Sequence, residues 1–158
     1  MNHNKKRQGF TIIEVLMVLA IGGLMITMVF EAIPFITRAN QNNQRKNDVA
    51  IILQSISDYR LHNTGRFTTD VGELKLSGVN QLGYYQPGPD GIDVIFIDYS
   101  PEISQNTDTT KVYIYDHSKC SQSNNGTKIL GGSRDIVALF ALDQGSGSNN
   151  GSPQCKEM

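Results

Sequence analysis

The sequence predicts an α+β protein in which one long N-terminal helix packs against a small antiparallel β-sheet. Three observations lead to this prediction. Phe10–Phe30 is an apolar run of 21 residues that holds a single charge. Val49–Tyr59 carries apolar residues at helical spacing. Three later segments are rich in Val, Ile, Phe and Tyr, as strands are. Helix and sheet would form two layers around one core.

The run Phe10–Phe30 has the length and composition of a membrane-spanning helix. At a rise of about 1.5 Å per residue, about 20 apolar residues cross a hydrocarbon core about 30 Å thick. A buried helix of a soluble protein rarely continues this far without polar residues. The basic cluster Lys5–Arg7 precedes the run, and the positive-inside rule places such residues in the cytoplasm. The sequence therefore predicts one span, with everything after Phe30 outside.

One carboxylate, that of Glu14, interrupts the apolar run. Its burial in a bilayer costs roughly 2.5–3.5 kcal/mol even on lenient insertion scales, so a simple anchor gains nothing from it. Such a residue needs a positive partner, and the run itself contains no Lys or Arg. Glu14 is therefore a candidate functional residue.

The residues Gly9-Phe10-Thr11-Ile12-Ile13-Glu14-Val15 resemble the N-terminal signature of type IV prepilins and pseudopilins. In that family a prepilin peptidase cuts after the glycine on the cytoplasmic side, and the new N-terminal phenylalanine is methylated. The resemblance implies cleavage between Gly9 and Phe10, methylation of Phe10, and an assembly role for Glu14. The missing positive partner would be the amine of Phe10, from the same subunit or from a neighbour in a filament.

The resemblance divides the chain into a leader at residues 1–9, a transmembrane and assembly helix at 10–33, and an extracytoplasmic globular domain at 34–158. A secretory signal peptide is the competing interpretation of the N-terminus. Its apolar region is usually about 7–15 residues long and ends at small residues. Here the run is longer and Val29–Pro34 is bulky, which favours retention of the helix. Loss of the leader would leave 11 basic and 15 acidic residues, a balance that does not suit nonspecific nucleic-acid binding.

The helix is predicted to continue as far as Tyr59. Its polar stretch, Thr37–Asp48, is followed by apolar residues at helical spacing, which predict a face packed against the core. These residues are Val49, Ile52, Leu53, Ile56 and Tyr59. Gly65 is expected to supply the C-cap. The segment Tyr59–Phe67 also resembles the pilin pattern of a tyrosine followed by Asn, Gly and an aromatic residue.

Strands are predicted at Ile92–Tyr99, Lys111–Asp116 and Arg134–Leu142. Their turn-rich connections suggest an antiparallel meander that covers the apolar face of the helix. A short helix or turn is predicted at Thr69–Leu74, where an N-cap residue is followed by an acid. The Gly/Ser/Asn-rich segment Gln144–Ser152 is predicted to be a loop.

Cys120 and Cys155 are the two cysteines of the chain. On an extracytoplasmic domain they can oxidise, and pilins often carry a disulfide in their C-terminal region, which the resemblance extends to this pair. Joined, they would close a loop of about 36 residues, worth roughly 3–4 kcal/mol in chain entropy. Two free thiols are the alternative, and an oxidising compartment disfavours them.

No catalytic or metal-binding pattern is recognisable in the sequence. His3, His62 and His117 are scattered, and neither a Ser/His/Asp or Cys/His arrangement nor a zinc spacing can be assembled. Asp90 and Asp93 flank Gly91, and Asp143 opens the Gly/Ser-rich tail. Oxygen-rich loops can hold Ca²⁺, but no full ligand set is visible, which favours turn-forming aspartates. We therefore predict no enzymatic activity, no cofactor, no metal site and no small-molecule substrate.

The predicted function is that of a structural subunit, major or minor, of a type IV pilus-like filament that supports adhesion, motility or DNA uptake. Its partners would be other pilin subunits, prepilin peptidase, the pilus assembly machinery and the inner membrane. The precursor would cross the membrane once with a cytoplasmic N-terminus, and the assembled subunit would be extracellular.

Three other functions compete with a pilus subunit. A pseudopilin of a type II secretion system shares every N-terminal feature. A DNA-uptake pilin would need a basic tip, which the scattered Lys111, Lys119, Lys128 and Lys156 do not support. A membrane-anchored enzyme or binding protein would need a catalytic or binding cluster that the sequence does not show.

Overall fold

The computed structural model describes residues 9–68, 70–74, 82, 85, 94–97, 99–100, 102, 104–124, 126–145 and 150–158. Within these ranges the chain forms α1 (Ile12–His62), α2 (Val71–Leu74), β1 (Val94–Ile97), β2 (Ser104–Gln105), β3 (Val112–Asp116), β4 (Ser118–Cys120), β5 (Thr127–Leu130), β6 (Ile136–Leu142) and β7 (Ser152–Glu157). Parts of four predicted elements lie outside these ranges: the leader as far as Gln8, Thr69 of the short helix, Ile92, Asp93 and Asp98 of the first strand, and residues 146–149 of the Gly/Ser/Asn-rich loop.

The chain divides into two compact units, one ending at Thr37 and the other beginning at Arg38. In the first unit, every large apolar side chain between Phe10 and Ile36 is exposed. The hydroxyl of Thr27 donates to the carbonyl of Leu24 at 2.8 Å, so this polar group is satisfied within the helix. As predicted, α1 contains a segment long enough and apolar enough to cross a membrane.

The end of α1 differs in one detail from the prediction of a glycine cap. The N–H of Gly65 donates to the carbonyl of Arg60 at 2.8 Å, the wide hydrogen bond of a Schellman motif. Both Thr64 (φ 56°) and Gly65 (φ 83°) have left-handed backbones. Thr64 is β-branched and adopts this conformation at a steric cost, so the cap is shared by two residues instead of resting on glycine alone.

The main sheet has the strand order β1-β3-β6-β7. The β3–β6 and β6–β7 pairs are antiparallel. All three predicted strands are present, but the predicted antiparallel meander is wrong, because β1 and β3 are parallel. A parallel pair requires a crossover of a dozen or more residues. Residues 98–111, which include β2, make this connection.

The C-terminal strand β7 is not predicted by the sequence. It has few of the β-branched and aromatic side chains that mark strands, and it contains Pro153. β7 lies at the edge of the main sheet, where a proline is tolerated because one side of the strand has no ladder to complete. The predicted loop Gln144–Ser152 therefore ends one residue inside a strand.

A second sheet, with the order β2-β5-β4, is also missing from the prediction. Its strands are only two to four residues long, whereas the commonest strand length is about five to six residues. So few positions give no clear alternation of apolar and polar residues. Both β4 and β5 contact β7. The C-terminal strand thus borders both sheets.

The core of the second unit lies between α1 and the main sheet, as predicted. Val49, Ile52 and Ile56 of the predicted apolar face are fully buried, and Leu53 is nearly so. They belong to one cluster with residues of the sheet. The sheet residues of this cluster are Val94, Val112, Ile114, Ile136, Ala138 and Phe140.

The polar stretch of α1 contributes buried and partly buried hydrogen bonds to the same unit. The amide of Asn42 donates to the carbonyl of Asp143 at 3.0 Å and accepts from the N–H of Asp143 at 2.9 Å, so it continues the backbone pairing beyond β6. Arg45 donates to Asn42 at 2.7 Å. The Asp48 carboxylate accepts from the N–H of Tyr85 at 3.0 Å. These residues connect α1 to Tyr85 and to Asp143, which follows β6, a role that a linker-like composition does not reveal.

A buried ion pair connects the end of α1 to β3. Nη2 of Arg60 lies 2.9 Å from Oδ1 of Asp116, and the two side chains are only 11% and 3% exposed. Nη1 of Arg60 also donates to the carbonyl of Arg134 at 3.0 Å. The same Asp116 oxygen accepts from the N–H of His117 at 3.0 Å. One carboxylate therefore orients the end of α1 and the turn after β3 together.

Removing this carboxylate should destabilise the fold far more than removing an exposed partner. Asp116→Ala leaves Arg60 buried without its counter-ion, and we expect a loss of about 3–5 kcal/mol in the free energy of unfolding. The control is Lys119→Ala, which breaks the exposed Lys119–Asp135 pair at 3.4 Å and should cost less than about 1 kcal/mol. Denaturant unfolding of the detergent-solubilised chain measures both, and equal losses would contradict the importance of the Arg60–Asp116 pair.

Candidate functional site

The predicted cleavage junction lies just before α1, where the backbone is not helical. Gly9 and Phe10 are both exposed, Phe10 to 84%. Among the described residues, nothing lies within 4 Å of the position that a Cβ on Gly9 would take. The peptide bond is therefore accessible, and a side chain at Gly9 meets no obstacle in the chain itself.

The first turn of α1 is organised by Thr11. Its carbonyl accepts from the N–H of Glu14 at 3.1 Å and from the N–H of Val15 at 3.4 Å. The spacing Thr-x-x-Glu is also that of a capping box, in which the acid three residues after the cap supports the helix start. Glu14 thus lies in the first turn, where the helix dipole favours negative charge.

This position gives Glu14 a local role at the start of the helix, which the Thr11–Glu14 spacing signals. The helix dipole stabilises an acid in the first turn by about 0.3–1 kcal/mol. A carboxylate in the bilayer costs roughly 2.5–3.5 kcal/mol. The helix dipole therefore offsets only part of the free-energy cost of placing the Glu14 carboxylate in a bilayer. In an apolar environment Glu14 still needs a positive partner.

Phe10 and Glu14 lie four residues apart in the sequence and border the same surface groove. The groove is otherwise lined by Val15, Val18 and Leu19. The carboxylate is thus surrounded by apolar side chains of its own helix. A second apolar helix seated on this groove would remove water from Glu14 and strengthen its attraction to any cation that it met there.

The predicted disulfide between Cys120 and Cys155 is present. The sulfur atoms are 2.06 Å apart and the Cα atoms 5.7 Å apart. Cys120 ends β4 in the second sheet, and Cys155 lies in β7 at the edge of the main sheet. The bond therefore joins two sheets that share no strand. The sequence does not predict which strands the bond connects, because neither β4 nor β7 has a recognisable strand pattern.

Close packing beside the disulfide also holds β7. A Cβ on Gly126 would come within 2.5 Å of the carbonyl of Pro153, and Gly126 has φ +82°. The N–H of Cys120 donates to the carboxylate of Glu157 at 3.3 Å. Strand β7 is thus held by its ladder with β6, by the disulfide and by the turn before β5.

The structure further weakens the case for a basic DNA-binding tip. Lys128 is fully buried. Its Nζ donates to the carbonyls of Ser100 at 2.7 Å and Glu102 at 2.5 Å and lies 4.6 Å from the centre of the Tyr115 ring. Burial lowers the pKa of Lys128, which the nearby Glu102 charge partly opposes. Lys119 is paired with Asp135, so two of the four lysines are engaged within the domain.

Titratable side chains elsewhere form no metal-binding cluster in the part of the chain that the structure describes. No three His, Cys, Asp or Glu side chains lie close enough there to hold a metal ion. His117 faces Asp116, its Nδ1 lying 3.2 Å from Oδ2, and His62 contacts the carbonyl of Asp58 at 2.7 Å. Asp90, Asp93 and His3 lie outside the described residues.

Comparison with known proteins supports the N-terminal interpretation. Residues 4–30 match the family model for the prokaryotic N-terminal methylation motif. This is the signal of type IV pilin and pseudopilin precursors, so the resemblance seen in Gly9–Val15 is confirmed. No curated protein and no solved structure matches the chain. The matched segment ends within α1, so the family match does not extend to the second unit.

Loss of the disulfide should loosen β7. For Cys155→Ser we expect a loss of roughly 3–4 kcal/mol in unfolding free energy, because the unfolded chain is no longer cross-linked. Limited proteolysis should then cut near the C-terminus. The control is Cys120→Ser/Cys155→Ser, which should lose the same amount, since both variants break one bond. Two freely alkylated thiols in the wild-type exported chain would contradict the disulfide.

Proposed function

We propose that this protein is the structural subunit of a type IV pilus-like filament. It would be made as a membrane-anchored precursor, processed at its N-terminus and assembled outside the cell membrane. The observation that carries the proposal is the N-terminal methylation motif at residues 4–30, followed by a helix with an entirely exposed apolar segment. A methylated, membrane-inserted helix followed by a folded domain is what a filament subunit requires.

The proposed topology places Lys5–Arg7 in the cytoplasm and the domain at 34–158 outside it. The positive-inside rule supports this orientation. The Cys120–Cys155 bond supports it independently, because disulfides persist in oxidising compartments and are rare in the cytosol.

Processing would occur at the accessible junction between Gly9 and Phe10. A prepilin peptidase would remove the leader, residues 1–9, and Phe10 would then be methylated on its new amine. A methylated amine keeps its positive charge, as methylated lysine does. The cut therefore creates the cation that the apolar run lacks.

Assembly would bring the Phe10 amine of one subunit beside the Glu14 carboxylate of another. Such a charge-assisted pair is strong in a dry environment. It satisfies the carboxylate, and it fixes the axial position of the incoming helix, because only one stagger brings the two groups together. The groove formed by Phe10, Glu14 and Val18 supplies the apolar surroundings.

A pseudopilin of a type II secretion system is the second candidate, since its precursors carry the same motif. Electron microscopy of cells with and without this chain distinguishes the two. Surface filaments that disappear with the chain support the pilus subunit. A secretion defect without any loss of surface filaments supports the pseudopilin.

Substitution at Gly9 tests the processing step. Gly9→Val should leave the leader attached, because the peptidase requires a small residue before the cut, whereas Gly9→Ala should still be processed. Since a side chain at Gly9 meets no obstacle in the chain, an effect of Val reports on the enzyme. Immunoblot mobility of the membrane fraction measures the retained leader. Normal processing of Gly9→Val, or a mature chain that begins after Phe30, would contradict the proposal.

Substitution of Glu14 tests the assembly step. Glu14→Val should insert at least as well as wild type and still be cut after Gly9, but should fail to polymerise, because removing one partner of a dry ion pair costs about 3–5 kcal/mol. Glu31→Val is the control, an acid of the same helix beyond the apolar run that should leave assembly intact. Filament yield is compared with membrane abundance. Normal filaments from Glu14→Val would exclude the pairing role, and loss from the membrane would assign Glu14 to insertion or folding.

A further inference from the structure

The segment that leads into β7 contains an asparagine followed directly by a glycine, Asn150-Gly151. Such a pair is chemically labile, because glycine has no side chain to keep its backbone nitrogen away from the asparagine side chain. The nitrogen can attack Cγ of the asparagine, so that a C–N bond forms and ammonia leaves with the proton that the nitrogen loses. Water then opens the resulting succinimide at either carbonyl, which gives aspartate or isoaspartate.

Packing in the folded domain requires the glycine of this pair. A Cβ at residue 151 would lie 2.4 Å from the carbonyl oxygen of Leu142 and 2.5 Å from Cγ2 of Thr109. The first of these contacts is with the backbone of β6, at the point where Leu142 pairs with Ser152 and the β6–β7 ladder begins. A larger residue, which would slow the attack, therefore does not fit, and the fold retains a labile pair at this position.

The same fold restrains the nitrogen that would attack. The N–H of Gly151 donates to the carbonyl of Thr107 at 2.7 Å, and Asn150 forms an antiparallel β-bridge with Asp108. The nitrogen must lose its hydrogen bond and its proton before it can attack. As in amide hydrogen exchange, an N–H of this kind reacts only when its segment opens.

The crossover that provides these contacts is itself held against the main sheet. The buried side-chain amide of Asn106 donates to the carbonyls of Lys111 at 2.8 Å and Leu139 at 3.2 Å. Its oxygen accepts from the N–H of Asp108 at 2.8 Å. Thr107 and Asp108 are thus fixed beside β6, and the glycine nitrogen is released when the segment that leads into β7 moves away from them.

We propose that Asn150 is a deamidation site that the fold keeps unreactive while β7 is docked and that reacts when β7 is released. This inference goes beyond the proposed filament function and does not depend on it. The Cys120–Cys155 bond holds β7, so a chain without that bond spends more time with the Gly151 nitrogen released. Deamidation would therefore mark chains whose C-terminal strand is loose.

The reaction would also weaken the docking of β7 afterwards. Asp108 lies directly opposite Asn150, and like charges at opposite positions of a bridge destabilise it. Burial opposes ionisation of Asp108, but hydrogen bonds from the Thr110 N–H at 2.9 Å and hydroxyl at 2.7 Å outweigh burial and lower its pKa. An isoaspartate would instead lengthen the backbone by one carbon and displace Gly151 from Thr107.

Peptide mapping by mass spectrometry tests the site in the full-length, detergent-solubilised chain. At one mildly alkaline pH, Asn150 should convert at least about tenfold more slowly in the folded, oxidised chain than in the same chain reduced and unfolded in urea. Cys120→Ser/Cys155→Ser without urea should react faster than the folded wild type, and Asn150→Gln is the control that should stay unmodified at this position. Equal rates in the folded and unfolded wild type, or no conversion in either, would overturn the proposal. A double-serine variant as slow as the wild type would disprove the link to the release of β7.

Hydrogen exchange of the Gly151 amide tests the consequence of the reaction. Asn150→Asp reproduces the aspartate product and should raise the exchange rate about two- to fivefold above that of Asn150→Ser, its uncharged control, because two carboxylates then face each other. Asp108→Asn/Asn150→Asp exchanges the two side chains and should restore protection, since one carboxylate remains. Equal exchange in the Asp and Ser variants, or a double variant that exchanges as fast as Asn150→Asp, would exclude repulsion between these two positions.

Discussion

The apolar surface of the first part of α1 is the constraint on which the rest of the molecule depends. From Phe10 to Ile36 no large apolar side chain is covered by the protein itself. Lipid can cover this surface, and so can other apolar helices, but water cannot without a large free-energy cost. In the proposed filament Glu14 would distinguish these two environments, because lipid offers its carboxylate no partner, whereas the N-terminal amine of a neighbouring subunit would.

The second unit gives the helix one covered side and one exposed side. Ile52 and its neighbours pack on the main sheet, and the Arg60–Asp116 pair holds the helix end to β3. The Cys120–Cys155 bond then fixes β7 at the border of both sheets. These contacts orient the helix within its own domain, so the fold defines which side of the helix remains exposed.

The sequence predicts the features that depend on local patterns. The apolar run, the helical stripe that contains Ile52, the strands β1, β3 and β6 of the main sheet and the Gly9–Glu14 signature all follow from residue order. It does not predict the parallel β1–β3 pair, since pairing direction depends on a crossover through β2. It also misses β7, whose residues lack strand propensity and are held by the Cys120–Cys155 bond and a neighbouring ladder. The capping-box spacing of Thr11 and Glu14 is visible in the sequence, but it lies within the apolar run, whose length and composition indicate a membrane span more strongly.

The central claim is that the subunit keeps its apolar helix when it leaves the membrane, and that no cleavage separates the helix from the domain. Intact-mass measurement of the chain in filaments sheared from the cell surface tests this directly. The account predicts a chain that begins at Phe10, is heavier by one methyl group, retains the apolar run and contains one disulfide. A chain recovered from the cell surface without residues 10–30, or found only in a soluble form outside the membrane, would contradict it.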